Sequence, residues 1–208
     1  MGGVFMKKLF KRTVFLAVLV ALVWCGMVLA DRQMLHEGLI RLHIVADSDD
    51  ADAQSLKLRV RDAVLASLHE GLAGMTDTEQ AMEYLQECLP QIEQLANQVL
   101  QAAGSELSAA VTLAQEEFHA RQYDTFSLPA GVYQALHIQI GSGEGQNWWC
   151  VAFPQLCLAT TGEEFRTAAA GAGFSSELTD ALTGCNGIRL RFWVLDVLGR
   201  IENFLHRG

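Results

Sequence analysis

The chain has 208 residues, half of them hydrophobic, and a formal net charge of −9. That length supplies one domain with a sizeable core. An acidic surface argues against nucleic acid and anionic lipid headgroups, which are bound by neutralising phosphate, and leaves a protein partner or a small ligand.

The first element is a leader. Lys7, Lys8, Lys11 and Arg12 precede an apolar run from Val14 to Ala30, with no further charge until Asp31. A basic start, an apolar stretch and small residues at its end are the parts of a secretory signal. Val28 and Ala30 stand where signal peptidase requires small side chains, which favours cleavage before Asp31. The run is also close to the about 17–25 residues that span a bilayer. Residues 1–30 therefore read as a signal peptide or an N-terminal membrane anchor, and 31–208 as a single exported domain. The basic cluster stays on the cytoplasmic side in either case. Trp24 immediately before Cys25 fits a lipid-attachment motif poorly. Taking the four leader cations from the net −9 leaves −13 on the exported part.

From Leu39 to Val45, Ile40, Leu42 and Ile44 alternate with Arg41 and His43, predicting a strand with one apolar face. The Asp47–Asp52 stretch supplies turn and cap chemistry. A helix follows, with Leu56, Val60, Val64, Leu68 and Leu72 on one stripe and Lys57, Arg59 and Arg61 on other faces. Thr76-Asp77-Thr78-Glu79 is a capping box for a second helix, which Pro90 should break or kink and Gly104 should end. Ala109–Leu113, Phe118–Tyr123, Tyr133–Ile140 and Trp148–Phe153 then read as strands between Pro- or Gly-bearing turns. A weakly helical Ala/Gly-rich segment and a helix over Ile188–Leu205 complete the chain. In that helix Leu190, Trp193, Val194, Val197, Leu198, Ile201 and Leu205 share helical spacing. The fold class is α+β: an N-terminal strand and helices, then a mainly antiparallel sheet and a C-terminal amphipathic helix.

Chemistry-bearing motifs are sparse. Asp47, Asp49 and Asp52 only partly fit a calcium loop, because Asp52 stands where a glycine is required and Leu58 where the last acid belongs. The six histidines show no metal-ligand spacing, so neither a metal nor a cofactor is expected. No Gly-x-Ser-x-Gly elbow is present. A Cys150 nucleophile with His137 as base would sit inside a strand behind two tryptophans, a poor place for an activated thiolate. Gly141–Gly145 precedes a strand, where a phosphate loop must open a helix, and reads as a hairpin loop. Cys150 and Cys157, with Pro154 between them, form a candidate disulfide worth about 2–3 kcal/mol, the alternative being two buried thiols. Trp148 and Trp149 point to opposite faces of their strand, so one indole can anchor a partner.

Three blocks carry a family resemblance. Arg41-Leu42-His43-Ile44-Val45-Ala46-Asp47-Ser48-Asp49 with Gln54 through Val64 resembles the opening of stage II sporulation protein R. Leu128-Pro129-Ala130-Gly131-Val132-Tyr133-Gln134-Ala135-Leu136 resembles its second block. Gly141 through Asn147-Trp148-Trp149-Cys150-Val151-Ala152-Phe153-Pro154 to Cys157 resembles its third and most distinctive block. Order and spacing agree across Leu39–Cys157. The resemblance implies a signal of endospore formation, made in the forespore and exported into the space between the two septal membranes. There it would trigger a membrane-embedded aspartic protease of the mother cell, the stage II sporulation GA protein, which cleaves pro-sigma-E. Such a protein is an activating ligand and not an enzyme; a secreted cell-envelope hydrolase using Cys or a metal is the alternative, and an anchored structural protein a third. The residues matching the family, Arg41, His43, Ser48, Asp49, Lys57, Arg61, Trp148 and Trp149, are candidates for partner binding. Arg41, His43, Lys57 and Arg61 form a candidate cationic patch for an acidic partner, the alternative being pairing with neighbouring aspartates. Asp47 departs from the family's usual Asn, which removes a side-chain donor and adds charge.

Overall fold

The computed structural model describes residues 2–156, 161–184 and 189–206. The leader is one end of a single long helix, α1 (Gly2–Gly38). Its apolar positions from Leu9 to Met27 are exposed, and a window within it is apolar and long enough to cross a membrane. Past Met27 the same helix turns into a core element: Val28 is 2% exposed and Leu35 1%. The cut expected before Asp31 thus falls inside a continuous helix whose next turns are packed on the domain.

Strand β1 (Ile40–Val45) leads into α2 (Ala51–Gly71) and α3 (Thr78–Ala102). Asp50 caps α2 by accepting from the Ala53 amide at 2.8 Å, and Asp77 caps α3. The α2 stripe is as expected at Val60, Val64 and Leu68, which are buried; each such side chain contributes about 1.5–3 kcal/mol when fully removed from water. Helix α3 runs through Pro90 without ending. The amide and clash cost of an internal proline, about 3 kcal/mol, is offset by the continuous packing of Leu85, Ile92, Ala96 and Leu100.

Strands β2 (Ala109–Phe118), β3 (Arg121–Gln122), β4 (Ser127–Leu128), β5 (Gly131–Ile140) and β6 (Asn147–Phe153) follow. The main sheet has the order β2-β5-β1-β6, and β3 pairs with β4 separately. Strand β1 is parallel to β5 and antiparallel to β6, while β2 and β5 are antiparallel, so the sheet is mainly antiparallel. Strands β5 and β6 therefore flank β1, and Gly141–Gln146 arches over its end instead of closing a hairpin. Strand β2 extends five residues past the expected Leu113, to Phe118. Its edge is closed at one end by α3, where Asn97 exchanges two hydrogen bonds with Ala109 at 2.9 and 3.0 Å.

The Ala/Gly-rich segment is helical: α4 (Gly162–Gly171) begins at a Thr161–Glu164 capping box and α5 (Ser176–Thr183) at Ser175. The last helix is α6 (Arg189–His206). One sheet face, with Ile40, Leu42, Ile44, Leu136 and Ile138, packs on α2 and α3. The other, with Tyr133, Ala135 and Val151, packs on the end of α1 and on α4, α5 and α6. Helical layers thus cover both faces.

Helix α6 is seated by polar contacts to the β4–β5 turn, within the second family-like block, and to the end of β2. Asp196 Oδ1 accepts from the Ala130 amide at 3.1 Å, and Asn203 Nδ2 donates to the Phe118 carbonyl at 2.9 Å. The expected apolar stripe is borne out in part: Val194 and Leu198 pack on the core beside buried Leu195, but Trp193, Ile201 and Leu205 are 52–71% exposed.

Candidate functional site

The first and third family-like blocks meet at one end of the sheet. Asp47 Oδ1 accepts from the Ser142 amide at 2.7 Å, and Ser142 Oγ donates to the Asp47 carbonyl at 2.8 Å. Asp49 Oδ1 accepts from the Gln146 amide at 2.7 Å. Lys57 Nζ donates to the Gln146 carbonyl at 2.8 Å and to Gln54 Oε1 at 2.6 Å. Gly141 has φ +58 and Gly145 lies against the Ser48 backbone, where a Cβ would overlap it. The acidic turn is therefore a clamp that holds the arching loop by its amides, and its carboxylates are spent on backbone donors.

Along the sheet face opposite α2 and α3, three rings from adjacent strands stack. The His43 ring lies 3.7 Å from Trp149 and 4.4 Å from His137, with interplanar angles of 12° and 11°. The cause is register, since His43 is the cross-strand neighbour of both. Glu116 reaches over from β2 to both histidines: Oε2 lies 3.0 Å from His43 Nδ1 and Oε1 lies 2.7 Å from His137 Nδ1. Burial pushes the Glu116 carboxyl up, but the hydrogen bonds from His137 and His43 outweigh it and hold it at about 2. Asn147 Oδ1 faces His43 Nε2 at 2.8 Å.

Arg41 lies on the same face, fully buried. Its Nε donates to the Cys150 carbonyl at 3.1 Å and an Nη to the Tyr123 hydroxyl at 2.9 Å. The guanidinium carbon stands 4.2 Å from the Phe118 ring centroid, so aromatic faces supply part of the counter-field that water would give.

These positions correct the expected cationic patch. Arg41, His43 and Lys57 are buried, because β1 is central and covered on both faces and because Lys57 continues the α2 stripe through Ala53, Val60 and Val64. Burial pushes the Lys57 ammonium down, while Asp49 pulls it up. Of the remaining candidates, Asp49 is exposed and Ser48, Arg61, Trp148 and Trp149 are half-buried. The two indoles do take opposite faces: Trp148 packs with the α2/α3 core and Trp149 with the other. The Arg61 guanidinium carbon lies 5.4 Å from the Trp148 ring centroid. Cys150 is 5% exposed and disulfide-bonded, and Cys157, the partner expected for it, lies outside the described residues.

A cysteine held in a disulfide is no nucleophile, so the Cys150–His137 reading loses its first member. The spacing of the histidines did not reveal the His43–Glu116–His137 cluster. Its members come from three strands, and only the sheet order brings them together.

A family described as stage II sporulation protein R matches residues 36–163. Over 118 residues the chain is 37% identical to the stage II sporulation protein R of Bacillus subtilis (strain 168), a stretch that covers 57% of this chain and 53% of that protein. The chain thus matches about half the length of this curated relative. No solved structure matches.

Proposed function

The chain belongs to the stage II sporulation protein R family, and from that premise we propose that it is an exported activating ligand of endospore formation. Its partner would be the membrane-embedded aspartic protease of the facing cell, the stage II sporulation GA protein, which then processes pro-sigma-E. The observation that carries this reading is the extent of the family match, which takes in the whole sheet, the clamped loop and the foot of α1. The exposed apolar half of α1 supports delivery to a membrane surface, as a signal sequence or as an anchor. The disulfide at Cys150 supports a ligand over a thiol hydrolase.

The contact surface we infer is the patch where Asp49, Arg61 and Trp148 remain accessible beside the outer strand β6. A half-exposed tryptophan under a guanidinium is a common interface anchor. Changing Trp148→Ala together with Arg61→Glu should lower pro-sigma-E processing in sporulating cells at least about 10-fold, as loss of one anchor costs 1.4 kcal/mol or more. Far-UV circular dichroism and export of the variant should match the parent. Normal processing by the folded, exported variant would exclude this patch as the contact.

A further inference from the structure

We propose that His43, Glu116 and His137 form a binding site for one divalent transition-metal ion of the Zn2+ class, a site that does not depend on the partner reading. The potential ligand atoms of the three residues all lie within 4.8 Å of one another. Two imidazole nitrogens and one carboxylate are a donor set that suits zinc and its neighbours and disfavours calcium or magnesium.

Without an ion, both Nδ1 atoms can donate hydrogen bonds to Glu116, and a divalent ion would take the place of those two hydrogens. A neutral imidazole carries one N–H and one lone pair. His43 Nε2 lies 2.8 Å from Asn147 Oδ1, a partner for the hydrogen that nitrogen carries when Nδ1 binds an ion. In that tautomer its Nδ1 turns a lone pair toward Glu116 Oε2, 3.0 Å away, and is open to an ion. His137 repeats the approach, with Nδ1 2.7 Å from Oε1 of the same carboxylate and a buried Nε2 that has no partner. Protonating both rings would stack two like charges with centroids 4.4 Å apart. One divalent ion would serve both Nδ1 atoms and the carboxylate together once the rings turn out of their parallel stack, because imidazole lone pairs lie in the ring planes.

The surroundings are those of a supported site. Asn147 Oδ1 stands behind His43 where it would accept from Nε2–H, as outer partners of metal-bound histidines do. Trp149 covers the other face of the His43 ring. Side-chain exposures of 11% for His43, 21% for Glu116 and 24% for His137 leave an edge open for entry and for water to complete the coordination. The ion would pin β1, β2 and β5 together, beside the tryptophan pair.

The test uses the full chain without a histidine tag, in detergent, stripped with a chelator and titrated with Co2+ and then Zn2+. The expected result is one equivalent of Co2+ with visible absorption, displaced by Zn2+, and a change in tryptophan emission from Trp149. Glu116→Gln and His137→Gln should each weaken binding at least about 100-fold, and Asn147→Ala about 10-fold, the range for an outer partner. His69→Gln, on α2 and bonded to Gln155 at 2.8 Å, should leave binding unchanged. If a variant does not fold, the unaltered chain still decides. No stoichiometric Co2+ or Zn2+ at micromolar concentration would overturn the site and leave a hydrogen-bonded cluster, as would equal affinity in folded Glu116→Gln and His137→Gln variants.

Discussion

Replacing Arg191 with alanine is expected to cost the fold about 3–5 kcal/mol, the range for breaking a buried ion pair from one side. Arg191 Nε donates to Asp31 Oδ2, and the two residues are 8% and 5% exposed. The pair joins α6 to α1 at the point where the exposed apolar helix becomes part of the core, next to buried Val28. With Arg191 gone, the Asp31 carboxyl, already pushed up by burial, is left without its partner and must either take up a proton or hold an unpaired charge where water reaches poorly. The neighbouring Arg32–Glu202 pair, at 3.0 Å but with both side chains 29% exposed, is too solvated to compensate. Denaturant unfolding of the full chain in mild detergent measures the loss. The double change Asp31→Leu with Arg191→Leu should recover most of it, because two apolar groups leave no orphaned charge. A loss below about 1 kcal/mol for Arg191→Ala would mean that α1 is not seated on the domain as described.

Gly199→Leu should be at least as damaging, with about 3 kcal/mol or more lost and α6 displaced from the sheet. The Gly199 Cα lies so close to the β4–β5 turn that a Cβ would overlap the Ala130 carbonyl, and backbone does not rotate away as a side chain does. Displacing the helix would also break the Asp196–Ala130 and Asn203–Phe118 hydrogen bonds. Thermal unfolding with tryptophan emission, Trp193 being on this helix, reads both effects. Gly171→Leu is the control, since nothing lies near its Cβ position. If Gly199→Leu unfolds no earlier than that control, the close approach is wrong.

Much of the secondary structure was legible because it rests on local chemistry. Asp50, in the acidic turn, caps α2 and the Val60–Val64–Leu68 stripe faces the sheet, while α3 is capped by Asp77, one residue past the Thr76 that the capping-box pattern selects. What failed depends on partners distant in sequence. The alternation in β1 predicts one wet face, but the pattern does not reveal that the strand is central or that a second helical layer covers Arg41 and His43. Their polarity is absorbed by Tyr123, Phe118, Glu116 and Asn147, from three other parts of the chain. The same dependence hid the end of β2: the strand reads as ending at Leu113, whereas Glu116, beyond it, is held in the sheet by two histidines. The third block was legible as a unit, but its role as the strap over β1 became visible only with Asp47, Asp49 and Lys57 beneath it.

The most direct test of the activating-ligand account is reconstitution. Vesicles carrying the candidate protease and enclosing pro-sigma-E are exposed to the purified full chain from outside. The account predicts cleavage that rises with chain concentration, saturates, and falls at least about 10-fold for the Trp148→Ala/Arg61→Glu chain. No cleavage with folded protein at any concentration would contradict it, and so would cleavage of pro-sigma-E by the chain without the protease.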